Sequence, residues 1–120
     1  MKTLLHPKLD VLLYTDRKCF GPGVAELLRL VGEHHSLRRA ARAMEMAYSK
    51  AWTITRNAEE GLGVKLLHSR VGGKNGGGAD LTPEALALLE AYEGYCRELE
   101  RTGEALFRER FSAFREMLPR

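Results

Sequence analysis

The sequence predicts a mainly α-helical fold with a small β component, and three observations carry that expectation. Apolar residues recur at helical spacing in four separate stretches. Between the third and fourth lies a glycine cluster, Gly72, Gly73, Gly76, Gly77 and Gly78, flanked by short segments of strand character. Thr82 followed by Pro83 then opens a long helical tail, with a capping side chain and a proline suited to the first helical position. A chain of 120 residues with 44% hydrophobic and 29% charged content has room for one domain and a small core. A large multidomain enzyme is not expected of 120 residues.

Taken in order, Leu9 to Tyr14 is a short apolar run, followed by polar Thr15 to Lys18 and then Cys19 and Phe20. This predicts an N-terminal β hairpin within residues 9–20. Gly21, Pro22 and Gly23 end it and start a helix whose stripe is Val24, Leu27, Leu28 and Val31. Ser36 is placed to cap a second helix with stripe Leu37, Ala40, Ala41 and Met44, ending near Glu45 and Met46. A third helix begins about Ala47. Ala51, Ile54 and Ala58 should face the core, with Trp52 on the flank beside Tyr48 and Thr55. It stops by Gly61 to Gly63, and Val64 to Val71 reads as a strand whose return is Ala79 to Leu81.

In the tail, Ala85, Leu89, Tyr92, Cys96, Leu99, Gly103 and Leu106 advance by alternating steps of four and three, a heptad-like seam. Beyond Gly103 the stripe shifts to Phe107, Phe111, Phe114 and Leu118, so the helix either bends there or gives way to a second one. Unbroken, Pro83 to Leu118 extends about 54 Å. A helix of that length on so small a domain calls for a partner surface, a second copy being the natural one, or else folds back on its own core.

The net charge of +3 identifies no partner, but its distribution is uneven. Residues 1–82 hold 13 Lys and Arg against 8 Asp and Glu, whereas residues 83–120 hold 6 against 8. The bland interpretation of the basic segment is a solvated face. Its placement argues for more. Two short helices joined at Glu45 and Met46, the second offering Ser49, Lys50, Thr53 and Arg56, meet the demands of a helix-turn-helix whose second helix enters a major groove. Arg38, Arg39 and Arg42 on the first helix are placed for phosphates, and a glycine-rich wing carrying Arg70 and Lys74 for the adjacent minor groove or backbone.

Other chemistries fit poorly. Gly73 and Lys74 are followed by Asn75 rather than the Ser or Thr of a phosphate-binding P-loop, and no βαβ alternation surrounds the glycines. No nucleophile triad or carboxylate pair stands out, so no catalytic residue is assigned. Cys19 and Cys96 suit buried thiols, and His6, His34, His35 and His68 lack metal-ligand spacing, so neither metal nor cofactor is expected. No apolar window reaches the 18 or so residues of a membrane span and the start lacks a signal-peptide core, which predicts a cytoplasmic protein without membrane contact.

The stretch Ser36 to Arg70 (SLRRAARAMEMAYSKAWTITRNAEEGLGVKLLHSR) resembles the winged helix-turn-helix of LysR-type regulators in its paired alanines and Leu-Gly-Val-x-Leu-Leu ending. It is more closely similar to the DNA-binding domain of the ModE family of molybdate-responsive regulators. Tyr48, Ala51 and Trp52 match that family's Tyr-x-x-Ala-Trp, and Gly72 to Leu81 (GGKNGGGADL) resembles its wing. The similarity runs from about Leu9 to Tyr95. It implies a homodimer on a palindromic operator, with Tyr48, Ser49, Lys50, Thr53 and Arg56 on the reading surface. Glu45 stands where the family often has a turn glycine and Ala47 where it often has a capping serine, so a looser turn is expected. The family senses molybdate through C-terminal domains, and residues after Tyr95 are too few for one, so an effector domain is expected to be absent.

The sequence thus predicts a winged helix-turn-helix over residues 1–82 (strands 9–20, helix-turn-helix 36–60, wing 64–81) and a helical dimerisation tail over 83–120. The expected dimer residues are Leu89, Tyr92, Cys96, Leu99 and Leu106, and the expected ligand is double-stranded DNA. The alternative is a winged-helix module that binds another protein through Phe107, Phe111 and Phe114.

Overall fold

A computed structural model describes residues 4–70 and 78–119. Two antiparallel strand pairs and four helices follow one another as β1 (Leu13–Tyr14), β2 (Lys18–Phe20), α1 (Pro22–His34), α2 (Leu37–Ala43), α3 (Tyr48–Leu62), β3 (Leu67–Arg70), β4 (Gly78–Leu81) and α4 (Pro83–Glu116). This is a winged helix-turn-helix with a long C-terminal helix. The wing tip, including Lys74, lies outside the described residues.

The N-terminal hairpin is shorter than expected. Only Leu13 and Tyr14 pair, with Phe20 and Lys18, across a bulge. Residues before them are drawn instead to α4: the Tyr92 hydroxyl donates to the Val11 carbonyl at 2.7 Å, and Leu9 packs against Gly103. An aromatic hydroxyl inside the core needs an acceptor, and Val11 supplies one that a ladder would otherwise use.

α1 is the hub. Leu28 joins Phe20, Ala58, Leu66, Ala85, Leu89 and Tyr92 in one cluster, while Leu27 and Val31 join Leu37, Ala40, Ala41, Ala51 and Ala79 in another. The small alanines at the α1, α2 and α3 contacts permit close helix approach. Ser36 Oγ accepts the Arg39 N–H at 3.0 Å and caps α2 as expected.

The turn after α2 is closed rather than loose. Met46 N–H donates to the Ala41 carbonyl and Glu45 N–H to Arg42, both at 3.0 Å, the paired bonds of a Schellman ending. Glu45 reaches this geometry at φ 55, in the left-handed region that favours glycine. Ala47 leaves the start of α3 without a side-chain cap, as its identity predicts.

Within α3 the buried residues are Ala51, Thr55 and Ala58; Ile54 is only half-buried. Thr55, expected on the flank, enters the core because its hydroxyl donates to the Ala51 carbonyl one turn back at 2.9 Å. α3 ends at Gly63, φ 76, and Glu59 reaches from its last turn to accept the N–H groups of Leu66 and Leu67 at 2.8 and 3.2 Å. The strand expected from Val64 therefore starts only at Leu67, pairing in register with Leu81.

Thr82 closes the wing onto the tail. Its buried hydroxyl accepts from Ala85 N–H at 3.0 Å and donates to the Lys65 carbonyl at 2.8 Å. α4 then runs as one helix of 34 residues through Gly103, which settles the choice between continuity and a break. The molecule measures 62 × 33 × 21 Å as a result.

The early part of the expected dimer seam is used internally. Ala85, Leu89 and Tyr92 are buried in the chain's own core, with Tyr92 edge-on to Phe20 at 5.0 Å, and Cys96 packs against that cluster. Leu89 and Tyr92 are thus core residues, and packing does not divide the chain at residue 82. An ion pair from Arg29 to Glu93 further ties α1 to α4. Only past Cys96 does the tail leave the domain. Leu99 is half-buried there, while Leu106, Phe111, Phe114, Met117 and Leu118 are exposed. Among the described residues no helix is long and apolar enough to cross a membrane.

Candidate nucleic-acid interface

Because α3 buries the stripe Ala51, Thr55 and Ala58, the face opposite it is left exposed. Tyr48, Ser49, Lys50, Thr53 and Arg56 are all exposed on it, a mixture of hydroxyl, ammonium, guanidinium and phenol groups. Such groups offer donors and acceptors to base edges and phosphates. The face is braced from the preceding helix. Arg38 lies over the Tyr48 ring at 4.2 Å, and Arg56 over the Trp52 ring at 5.2 Å, so two cations are held against aromatic surfaces rather than ranging through solvent. Arg39 and Arg42 are exposed on α2.

The wing is fixed at its base. Asp80 accepts Arg70 Nε at 3.1 Å and contacts His35 Nδ1 at 2.9 Å, while Ala79 N–H donates to the His35 carbonyl at 3.0 Å. Arg70 therefore belongs partly to this clamp between the hairpin and the end of α1, a role its sequence position did not reveal. Its guanidinium remains more than half exposed.

Between α3 and the wing is a cavity of about 330 Å3. Arg38, Arg56, Lys65 and Arg70 bring four cations to its lining, against the single carboxylate of Glu59 among the described residues. That carboxylate is nearly buried and occupied by the Leu66 and Leu67 N–H groups, so the opening presents positive charge. Neither Trp52, matched from sequence only within Tyr-x-x-Ala-Trp, nor Lys65 was among the residues expected to contact DNA. Trp52 had a further signal, since Tyr48, Trp52 and Arg56 recur at four-residue steps on one face; Lys65 had only its charge within the basic segment, because its place at the cavity depends on the chain reversal at Gly63. Among the described residues no group of three His, Cys, Asp or Glu side chains is placed to hold a metal ion.

Comparison with known proteins gives concordant matches. The family model for bacterial regulatory helix-turn-helix proteins of the lysR family matches residues 25–86, the span from α1 to the start of α4. The chain is 33% identical over 99 residues to the molybdenum transport protein ModE of Herbaspirillum seropedicae, covering 82% of this chain and 34% of that protein. It is 35% identical over 104 residues to the transcriptional regulator ModE of Haemophilus influenzae, covering 87% and 37%. It is also 36% identical over 66 residues to the molybdenum-pterin-binding protein MopB of Rhodobacter capsulatus, covering 55% and 24%. The chain thus spans about a third of the length of the first two relatives.

Proposed function

The chain belongs to the lysR family of bacterial regulatory helix-turn-helix proteins, and from that premise we propose that it is a sequence-specific DNA-binding transcriptional regulator connected with molybdenum. The observation that carries this reading is the outward face of α3. It presents Tyr48, Ser49, Lys50, Thr53 and Arg56 while Ala51, Thr55 and Ala58 hold the helix down. α3 enters a major groove, Arg38, Arg39 and Arg42 meet phosphates, and the wing with Arg70 and Lys74 follows the neighbouring minor groove or backbone. The molybdenum connection is supported by the names of the relatives, ModE and MopB.

The active species is a homodimer joined through the distal half of α4. Its support is a palindrome in the half-buried and exposed stripe: Cys96, Leu99, Gly103, Phe107, Phe111 and Phe114 are spaced three, four, four, four, three. An antiparallel pair about an axis level with Ala105 sets Leu99 opposite Phe111 and Cys96 opposite Phe114. The same register sets Glu100 opposite Arg110 and Arg101 opposite Glu109. A two-fold interface requires such self-complementarity. Leu9, seated on Gly103, joins that face.

Selecting bound sites from a random DNA pool tests both parts. A palindrome with half-sites about 10 bp apart, or a multiple of that, is the expected result. A pool that yields no enriched sequence, with binding insensitive to salt, refutes the reading and favours a protein-binding module.

A further inference from the structure

The cavity between α3 and the wing has a use that groove reading by α3 does not give it. If α3 lies in a major groove and the hairpin meets the adjacent minor groove, the strand dividing those grooves must pass between the two elements. The cavity occupies that passage, with Tyr48, Trp52 and Arg56 on the α3 side and Lys65, Ser69 and Arg70 on the wing side.

We propose that this cavity seats one phosphodiester of the DNA backbone, with Lys65 as its cation, Ser69 as a hydroxyl donor and Trp52 as the wall against the adjoining sugar. The proposal rests on the DNA-binding reading above and deepens it. Lys65 is singled out by the commitments of its neighbours. Arg70 is held by Asp80 at 3.1 Å and reaches the His35 carbonyl at 3.4 Å; Arg56 lies over Trp52 and 3.8 Å from Glu60. The Lys65 side chain is 68% exposed and its Nζ lies 3.9 Å from Glu59, at the outer limit of an ion pair, and the other oxygen of that carboxylate serves two backbone N–H groups. An ammonium so loosely held is available to a phosphate as a point charge. Trp52 is half exposed at 49%, a large apolar plate that would stay in water unless something covers it. The Lys65 backbone is fixed by the Thr82 hydroxyl, which anchors the stem of the side chain.

The test uses the full chain and a labelled duplex carrying its selected site, with Lys65→Gln and Trp52→Phe variants. Lys65→Gln is expected to weaken binding about fivefold near 0.15 M salt, equally on selected and random duplex, and to lower the salt slope by about 0.9. A scan with single neutral methylphosphonates should find one position that weakens the wild type and leaves Lys65→Gln unaffected. Trp52 is the only tryptophan, so its emission should change as the duplex saturates. The proposal is overturned if the Lys65→Gln slope equals that of the wild type while Arg56→Ala still weakens site binding, since DNA binding would then persist without this seat. It is likewise overturned if millimolar inorganic phosphate shifts Trp52 emission and saturating duplex does not, which marks a free-anion site. Loss of all salt-dependent duplex binding by the wild type sinks the parent reading, and the seat with it.

Discussion

The guanidinium of Arg38 on α2 lies 4.2 Å from the centre of the Tyr48 ring, the first residue of α3. The contact crosses the helix-turn-helix and holds the start of α3, where a side-chain cap is missing. Arg38→Lys keeps the charge but loses the planar stacking, so it should weaken duplex binding with the salt slope unchanged. Arg38→Ala should weaken binding and also lower the slope. Identical slopes for both variants, measured by anisotropy across salt, would leave Arg38 a purely structural residue.

Arg56 faces out from the middle of α3. Arg56→Ala is expected to cost about 1–3 kcal/mol on the selected site and much less on random duplex. Neutralising Lys74 should instead weaken both equally and reduce the salt slope by about 1. Equal losses on both duplexes for Arg56→Ala would move it from base reading to phosphate contact.

Burial, and then the neighbouring Cys96 and Asp10, push the Tyr92 phenol up from 10.0 to about 12. The folded state therefore keeps its proton where the unfolded chain has lost it. Stability from this group is intact below pH 10 and falls as pH rises towards 12. Tyr92→Phe should cost about 1 kcal/mol at neutral pH by leaving the Val11 carbonyl without its donor, and should flatten that alkaline decline. Denaturant melts at pH 8, 10 and 11.5 measure both effects.

Leu89 and Leu106 lie on the same helix with opposite fates, one 7% and the other 50% exposed. Leu89→Ala should destabilise the fold by about 2–5 kcal/mol. Leu106→Glu or Phe111→Glu should leave the circular dichroism intact and convert a dimer to a monomer in sedimentation. A monomeric wild type would end the dimer proposal.

The turn carries two unfavourable residues. Glu45→Gly should raise stability by less than about 1 kcal/mol, removing left-handed strain at φ 55 at some cost in chain entropy. Ala47→Ser should add about 1 kcal/mol by capping α3. A thermal melt that falls for Ala47→Ser would mean the serine hydroxyl does not reach the helix N–H groups.

Local sequence alone was enough to specify the order of elements, the Ser36 and Thr82 caps, the exposed face of α3 and the strand pair that flanks the glycine cluster. Each follows from local rules: periodicity, capping chemistry and backbone preference act over a few residues. Tertiary structure decided what those rules do not reach. Tyr92 turned inward because its hydroxyl found the Val11 carbonyl 81 residues away, and with Leu89 it left the tail seam for the core. Thr55 joined Ala51, Ile54 and Ala58 in the α3 contact because its hydroxyl could be satisfied within the helix. Arg70 was drawn to Asp80 and His35 by a hairpin register, and Lys65 to the cavity rim by the chain reversal at Gly63, neither of which a single segment encodes. A heptad pattern states that a face will be covered; which surface covers it depends on where the rest of the chain folds.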